Sequence, residues 1–271
     1  MRVAAVFILY NPNIEELKLN VLRIINDVET VILWFNSSCE IYFDNKYESK
    51  IVRLNNGKNQ YIAKPLNIAL QYCIDNELTH LLTMDQDSEW ENFSSFLMEV
   101  DKSSLQDVII YAPNINGSIK SKEKFIIAET VITSGALHNV KMTNSLGGFR
   151  EDYQIYWVDS EFCYWAKHNR YQIYYIPEFS LKHKFGDSTK KVFGIKGYNY
   201  SPIVYYFLFR NMLWMRREHG KNAVSTKTIL YTIKLLVPGI ILCEKKKLKK
   251  LRKIFVAFVD GFFSNKMNRR K

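Results

Sequence analysis

Residues 81–90 read LLTMDQDSEW: an apolar run, then Asp85 and Asp87 one residue apart, then a polar turn. Two carboxylates this close repel each other, and burying either one without a partner is costly. The stretch therefore reads as the end of a buried strand whose tip is built to meet positive charge. A turn whose aspartates cap the next helix would satisfy the same ten residues, so the flanking sequence has to decide.

Upstream, the apolar runs VAAVFIL (3–9), TVILWF (30–35), IVRL (51–54) and HLLTM (80–84) lack polar alternation, as expected of parallel strands covered on both faces. Helical patterns separate them. Asn13 is placed to cap a helix over 14–27 with Ile14, Leu17, Val21, Leu22 and Ile25 on one stripe, and 61–76 carries Ile62, Leu66, Ala69, Leu70 and Cys73 on another. A further helix precedes the strand VIIYAP (108–113). This alternation predicts an α/β fold with crossover helices, in which ligands bind outside the carboxyl ends of the strands, where Asp85 and Asp87 fall. No GxGxxG or GxxxxGK[ST] occurs, so dinucleotide and P-loop readings lose their support. A divalent cation held by the aspartates could instead bridge to a diphosphate.

The 271 residues suffice for a large core, and 47% hydrophobic with 24% charged residues is a globular composition. The net charge of +11 is unevenly placed: residues 1–220 hold 24 Lys and Arg against 25 Asp and Glu, whereas 221–271 hold 14 against 2. A nucleic-acid-binding protein, suggested by a pI near 9.3, is disfavoured by this confinement of charge to the tail. Cys39, Cys73, Cys163 and Cys243 show no CxxC or zinc spacing and read as reduced core residues of a reducing compartment. MRVAAVFILYNPN reads as a first strand, without the features of a signal peptide. The apolar segment 229–242 contains Lys234 and Pro238 and is shorter than a membrane span. It is followed by EKKKLKKLRK (244–253), seven basic residues in ten, and by apolar IFVAFV, a pattern suited to an anionic membrane surface.

The second half adds Ser134-Gly135 and Gly147-Gly148, which permit tight backbone, a helix from 158 opened by Asp159 and Glu161, and His183 in FSLKHKFGD (179–187). Each has a plain structural reading, the acids as helix caps and the histidine as a packing residue.

Taken together, ILYNPN (8–13), NGKNQYIAKPLNIAL (56–70), TMDQDS (83–88), TSGAL (133–137), LGGFRED (146–152), WVDSEFCYWA (157–166), LKHKFGD (181–187) and YYFLFRN (205–211) resemble the inverting GT-A glycosyltransferases of glycosyltransferase family 2, and among them the bacterial rhamnosyltransferases of O-antigen and capsule synthesis. The resemblance spans about residues 3–217. It implies a Rossmann-like mixed sheet with helices on both faces, and the charge pattern beyond 220 adds a basic amphipathic helical tail. Residues 1–220 would form the transferase domain, with 1–113 binding nucleotide and 114–220 binding acceptor, and 221–271 would associate with membrane.

By the same resemblance Asp87 and His183 would bind Mg²⁺ or Mn²⁺, with Asp85 beside them. Asp159 would be the general base, and Glu161 would orient it or the acceptor. Tyr10, Asn11, Asn36 and Asn67 would border the nucleotide. Arg210 would lie near the diphosphate or acceptor, with helix packing and a solvated head as its alternative. The family's acid at the end of the second strand is Phe35 here, so no carboxylate reads the base at that position. The implied donor is dTDP-L-rhamnose, with UDP-galactofuranose or another UDP-sugar as the alternative. The implied acceptor is a lipid-linked oligosaccharide at the inner face of a bacterial plasma membrane, with no nucleic-acid partner. A homodimer is compatible with this reading, as is a binding-only descendant of the fold.

Overall fold

In the computed structural model the described residues are 1–184, 191–192 and 194–264. Phe185, Gly186 and Asp187, which close the LKHKFGD motif, and the basic end of the tail, 265–271, lie outside them.

The unalternating apolar runs become β1 (Val3–Leu9), β2 (Thr30–Phe35), β3 (Ile51–Leu54) and β4 (His80–Asp85), parallel in the spatial order β3-β2-β1-β4. Their crossovers are α1 (Ile14–Leu22), the short α2 (Asn45–Glu48) and α3 (Ala63–Asp75). Asn13 caps α1 as its position requires, its side chain accepting from the Glu16 amide at 3.3 Å. The helix stops earlier than its stripe suggests because the chain must turn to begin β2, and the Glu29 amide already donates to Val3 O at 2.8 Å.

Beyond β4 come β5 (Glu89–Trp90), α4 (Phe93–Asp101), β6 (Val108–Ile115), β7 (Ile126–Ile127), β8 (Ala136–Asn139), α5 (Val140–Ser145), α6 (Val158–His168) and β9 (Gln172–Lys182). The parallel half of the sheet ends where β8 pairs antiparallel with β4, Thr83 opposite Ala136. The full nine-stranded order is β3-β2-β1-β4-β8-β6-β9-β5, with β7 on β9. The sheet is thus mixed, as the family resemblance implies. Val3, Ala5, Phe7 and Leu9 alternate into one core with Leu17, Val21, Val31, Leu33, Leu82 and Met84. The four cysteines are free thiols, Cys73 and Cys163 buried, Cys39 and Cys243 half-buried. Burial pushes the Cys73 thiol up to about 12, so it stays protonated.

The contacts divide the chain into two compact units: Met1–Arg150 with Phe162–Lys184, and Glu151–Glu161 with Phe185–Lys271. The first unit holds the sheet just described. The second contains the two-stranded pair β10 (Lys191–Val192) and β11 (Ile195–Lys196) and three helices, α7 (Pro202–His219), α8 (Thr226–Cys243) and α9 (Lys247–Phe263). Within this unit the last described helix, α9, packs against α7. Trp214 Nε1 donates to Asp260 O at 3.3 Å, Tyr206 OH donates to the Asp260 carboxylate at 2.6 Å, and the Phe209 and Phe258 rings lie 5.6 Å apart. Gly261 is required at this α7–α9 contact, since a Cβ there would lie 2.5 Å from Leu213.

One lysine of the basic run is turned inward. Lys250 Nζ donates to Glu244 at 2.7 Å and to Asn199 Oδ1 at 2.9 Å, and Glu244 also accepts from Tyr205 OH at 2.6 Å and from the Tyr198 amide at 2.9 Å. Burial alone would raise the Glu244 carboxyl. The hydrogen bonds from Lys250, Tyr205 and the backbone outweigh it and hold the group below the usual range. Lys250→Met leaves a buried carboxylate without its cation, and we expect a loss of about 3 kcal/mol, seen as a lower urea midpoint. Adding Glu244→Gln to that variant should recover much of the loss, and an unchanged midpoint in Lys250→Met would show the pair to be neutral for folding.

Candidate active site

The tip of β4 carries the aspartates, and the sheet delivers the histidine to them. β5 runs antiparallel to the end of β9, with Glu89 opposite Lys182 and Trp90 opposite Leu181. Continuing that register by one residue sets His183 opposite Ser88, and Ser88 Oγ is hydrogen-bonded to His183 Nδ1 at 2.9 Å. His183 Nδ1 also lies 3.7 Å from Asp85 Oδ2. Ser134 Oγ donates to Ser88 Oγ at 2.6 Å and accepts from the Asp85 amide at 3.4 Å, so the TSGAL segment braces both ligands. Asn116 holds the histidine backbone from the other side, accepting from His183 N and donating to His183 O, each at 2.9 Å.

Asp85, Asp87 and His183 each offer a ligand atom, and these atoms all lie within 4.8 Å of one another. Two carboxylates and an imidazole are a donor set that suits a divalent cation such as Mg²⁺ or Mn²⁺. Burial lowers the imidazole pKa, while the Asp87 charge opposes that shift. A neutral ring is the form that can coordinate a cation. The three residues therefore fit a metal.

The residues expected to border a nucleotide divide into two kinds. Tyr10 is exposed at the tip of β1, its amide donating to Gln86 Oε1 at 2.7 Å, and the Asn11 amide donates to Ser37 Oγ at 2.7 Å. Both stand at the carboxyl edge of the sheet. Asn36 and Asn67 are instead committed to holding loops. Asn36 donates to Tyr61 O at 2.7 Å and accepts from Trp34 Nε1 and the Gln60 amide. Asn67 exchanges two hydrogen bonds with the Phe149 backbone, at 2.8 and 2.7 Å. That exchange explains Gly148, whose φ is +67° and whose Cβ would come within 2.5 Å of Asn67 Oδ1. At the carboxyl ends of β2 and β3 a cleft of about 620 Å³ is lined by Phe35, Ser37, Cys39, Tyr42, Arg53 and Asn55 among others. Phe35 itself is buried in the core.

Asp159 and Glu161 lie in the second unit, in the first turn of α6. Asp159 is half-buried and accepts from the Ser160 amide at 2.7 Å. Burial raises its pKa, with the hydrogen bonds from Ser160 opposing. Glu161 is fully buried, and its carboxylate lies 3.4 Å from His219 Nε2 at the end of α7. It serves that contact and does not face solvent.

Arg210 is also buried, and this corrects the alternative expectation of a solvated head. Its guanidinium donates to Asp152 O at 2.7 Å and to Asn211 Oδ1, and stacks over Trp214 at 4.0 Å. Asn211 in turn donates to the carbonyls of Tyr153, Ile155 and Tyr156 at 2.8 to 2.9 Å. The loop they grip contains Gln154, Tyr156 and Trp157 with φ of 61°, 63° and 64°, a conformation that side chains disfavour by roughly 1–2 kcal/mol each. Arg210 and Asn211 thus hold the strained approach to Asp159.

Sequence reasoning missed Ser88, Ser134, Asn116, Asn211 and His219. Ser88 and Ser134 stand inside motifs already singled out, but their hydroxyls gain a role only through the pairing of β5 with β9.

No family model matches the chain. Over 283 aligned positions, 96% of this chain and 95% of the relative, it is 24% identical to the dTDP-rhamnosyl transferase RfbF of Shigella flexneri. Among solved structures it is similar to residues 1–349 of S. aureus TarS in complex with UDP-GlcNAc, with TM-score 0.57 and 16% identity over 96% of this chain and 80% of that one. It is similar to the mannosyltransferase PcManGT of Pyrobaculum calidifontis in complex with GDP-Man and Mn²⁺, with TM-score 0.58 and 11% identity over 98% of this chain and 88% of that one. GalNAc-T7 with UDP, GalNAc and Mn²⁺ aligns at TM-score 0.60 and 12% identity over 80% of this chain, which spans only 48% of that longer protein. The chain therefore has the fold of the GT-A glycosyltransferases, and it is similar to one such transferase along nearly its whole length.

Proposed function

We propose that the chain transfers a hexose from a nucleoside diphosphate donor to a hydroxyl of a lipid-linked glycan, with inversion at the anomeric carbon. The observation that carries this reading is the meeting of Asp85, Asp87 and His183 at the tip of β4. The nucleoside is assigned to the cleft at the ends of β2 and β3. One strand, β1, separates that cleft from β4, which puts the two about 10 Å apart at ordinary strand spacing, the reach from a nucleoside to its diphosphate. Mg²⁺ or Mn²⁺ held by the three side chains would supply charge neutralisation for the departing diphosphate. Tyr10 and Asn11 border the donor, and Asn36 and Asn67 act on it indirectly through the loops they fix.

Asp159 is assigned the role of general base, taking the proton from the acceptor hydroxyl as its oxygen attacks the face opposite the leaving group. A carboxyl raised by burial is a stronger base than an exposed one. Glu161, Arg210 and Asn211 keep α6 and the loop before it in place. No covalent sugar intermediate forms in a single displacement. The donor ranked first is dTDP-L-rhamnose, after the name of the S. flexneri relative. UDP-galactofuranose or another UDP-sugar ranks second, and with Phe35 at the end of the second strand no carboxylate there reads the base. The working location is the inner face of a bacterial plasma membrane, in O-antigen or capsule assembly.

Asp159→Asn should reduce turnover by 10²–10⁴-fold with donor affinity nearly intact, and an equal fall in affinity would remove the base assignment. Because its folded pKa is raised, the wild-type rate should fall as pH drops through a value above the ordinary aspartate range, and that limb should disappear in the variant. Asp87→Ala should abolish Mn²⁺-dependent donor binding in titration calorimetry; unchanged affinity with and without Mn²⁺ would rule out the metal role. In a panel of nucleotide sugars, the true donor with Mn²⁺ should raise the melting temperature most, and dTDP-L-rhamnose is expected to lead.

A further inference from the structure

The second unit carries an amphipathic surface that its own packing leaves open. Along α9 the residues Leu248, Arg252, Phe255, Val259 and Phe262 recur at steps of four and three, which on an α-helix is a single stripe. The residues buried on this helix, Lys250, Ile254, Ala257 and Gly261, lie roughly opposite, and α7 packs there. The stripe is open: Leu248 is 84% exposed, Phe255 69% and Phe263, at its margin, 78%. Its amino-terminal end is strongly cationic, because Lys245, Lys246, Lys247, Lys249, Arg252 and Lys253 are all exposed and the single acid nearby, Glu244, is buried.

α8 repeats the pattern. Leu230, Tyr231 and Leu235 are exposed together with Lys227 and Lys234, one turn away on the same side. At 18 residues it is longer than its apolar core suggests, because Ser225 caps it, accepting from the Thr228 amide at 3.0 Å. By length and composition alone it would cross a membrane. Its other side is already occupied: Leu236, Gly239 and Ile240 are buried, and Gly239 is packed so closely that a Cβ would lie 2.2 Å from Lys196 O of β11. A helix held by its backbone to a polar strand end is not surrounded by lipid. Pro238 and the two lysines point the same way.

We infer that α8 and α9 form a docking surface for an anionic bilayer, with Phe255, Val259, Phe262 and Phe263 entering the headgroup boundary and the lysines around 245–253 held against acidic headgroups. Apolar side chains interleaved with long cationic ones suit this interface, since lysine and arginine stems lie along apolar surface while their heads stay at the charged layer. The inference gives a surface to the membrane location proposed above and is independent of the donor and of the catalytic residues.

The test is flotation of the full chain with vesicles of phosphatidylcholine alone or mixed with phosphatidylglycerol. The wild type should bind the anionic vesicles at least tenfold more strongly than the neutral ones. Lys249→Glu with Arg252→Glu, and separately Phe255→Asp with Phe262→Asp, should each weaken that binding at least tenfold. The Mn²⁺-dependent thermal shift with nucleotide sugar should be unchanged in both, which separates failure of this surface from failure of the transferase reading. Equal binding to both vesicle types, wild-type binding by both variants, or tighter binding to duplex RNA than to anionic vesicles would each overturn it. Wild-type protein that resists alkaline carbonate extraction from membranes would also overturn it, showing that α8 spans the bilayer.

Discussion

The site depends on a ladder only two residues long. Glu89 and Trp90 pair with Lys182 and Leu181 on one side, while β6 and the Asn116 clamp hold the same strand end on the other, and together they determine where His183 stands relative to the aspartates. Side chains alternate across a strand, so a slip of one residue would turn the imidazole to the opposite face. Such a short pairing is held by what lies behind it. Trp90 and Leu181 are buried, and the Trp90 ring meets those of Phe93 and Phe96 at 5.2 and 4.8 Å. Phe96 in turn meets Phe179 edge-on at 6.0 Å, two residues before Leu181. An aromatic core with no polar function thereby fixes the register of the polar site.

A different economy operates in the second unit. The loop before α6 adopts left-handed backbone at three non-glycine residues, which is stable only if other groups over-determine it. Asn211 supplies those constraints by donating to three of its carbonyls, and Arg210 fixes Asn211 by donating to its side-chain oxygen. Backbone strain of this sort is concentrated where a side chain must be aimed, and here the chain leads directly to Asp159.

The parallel half of the sheet was legible because its strands are covered on both faces and so carry unbroken apolar runs. The bounds expected for 3–9, 30–35 and 51–54 are those of β1, β2 and β3. The antiparallel half was less legible: β8 has four residues and β5 and β7 two each, too few to establish a period. Asp85, Asp87 and His183 could be named from motifs, whereas the hydroxyls of Ser88 and Ser134 acquire meaning only from three-dimensional pairing. Arg210 was ambiguous for a related reason. An arginine beside aromatics in a helix has the same local sequence whether its head reaches a phosphate or a buried carbonyl. The seven basic residues of 244–253 likewise read as one cluster suited to an anionic surface, and one of them, Lys250, is buried.

That inward lysine has a practical side for anyone reshaping the protein. Glu244 sits between α8 and α9, and its partner comes from the first turn of the last helix. A chain cut just after Glu244 to improve solubility would leave that anion without its cation and uncover the flank of α7 that α9 shields. Shortening would then yield aggregation in place of a cleaner monomer, so solubility is better sought by editing the outward side chains than by removing the helix.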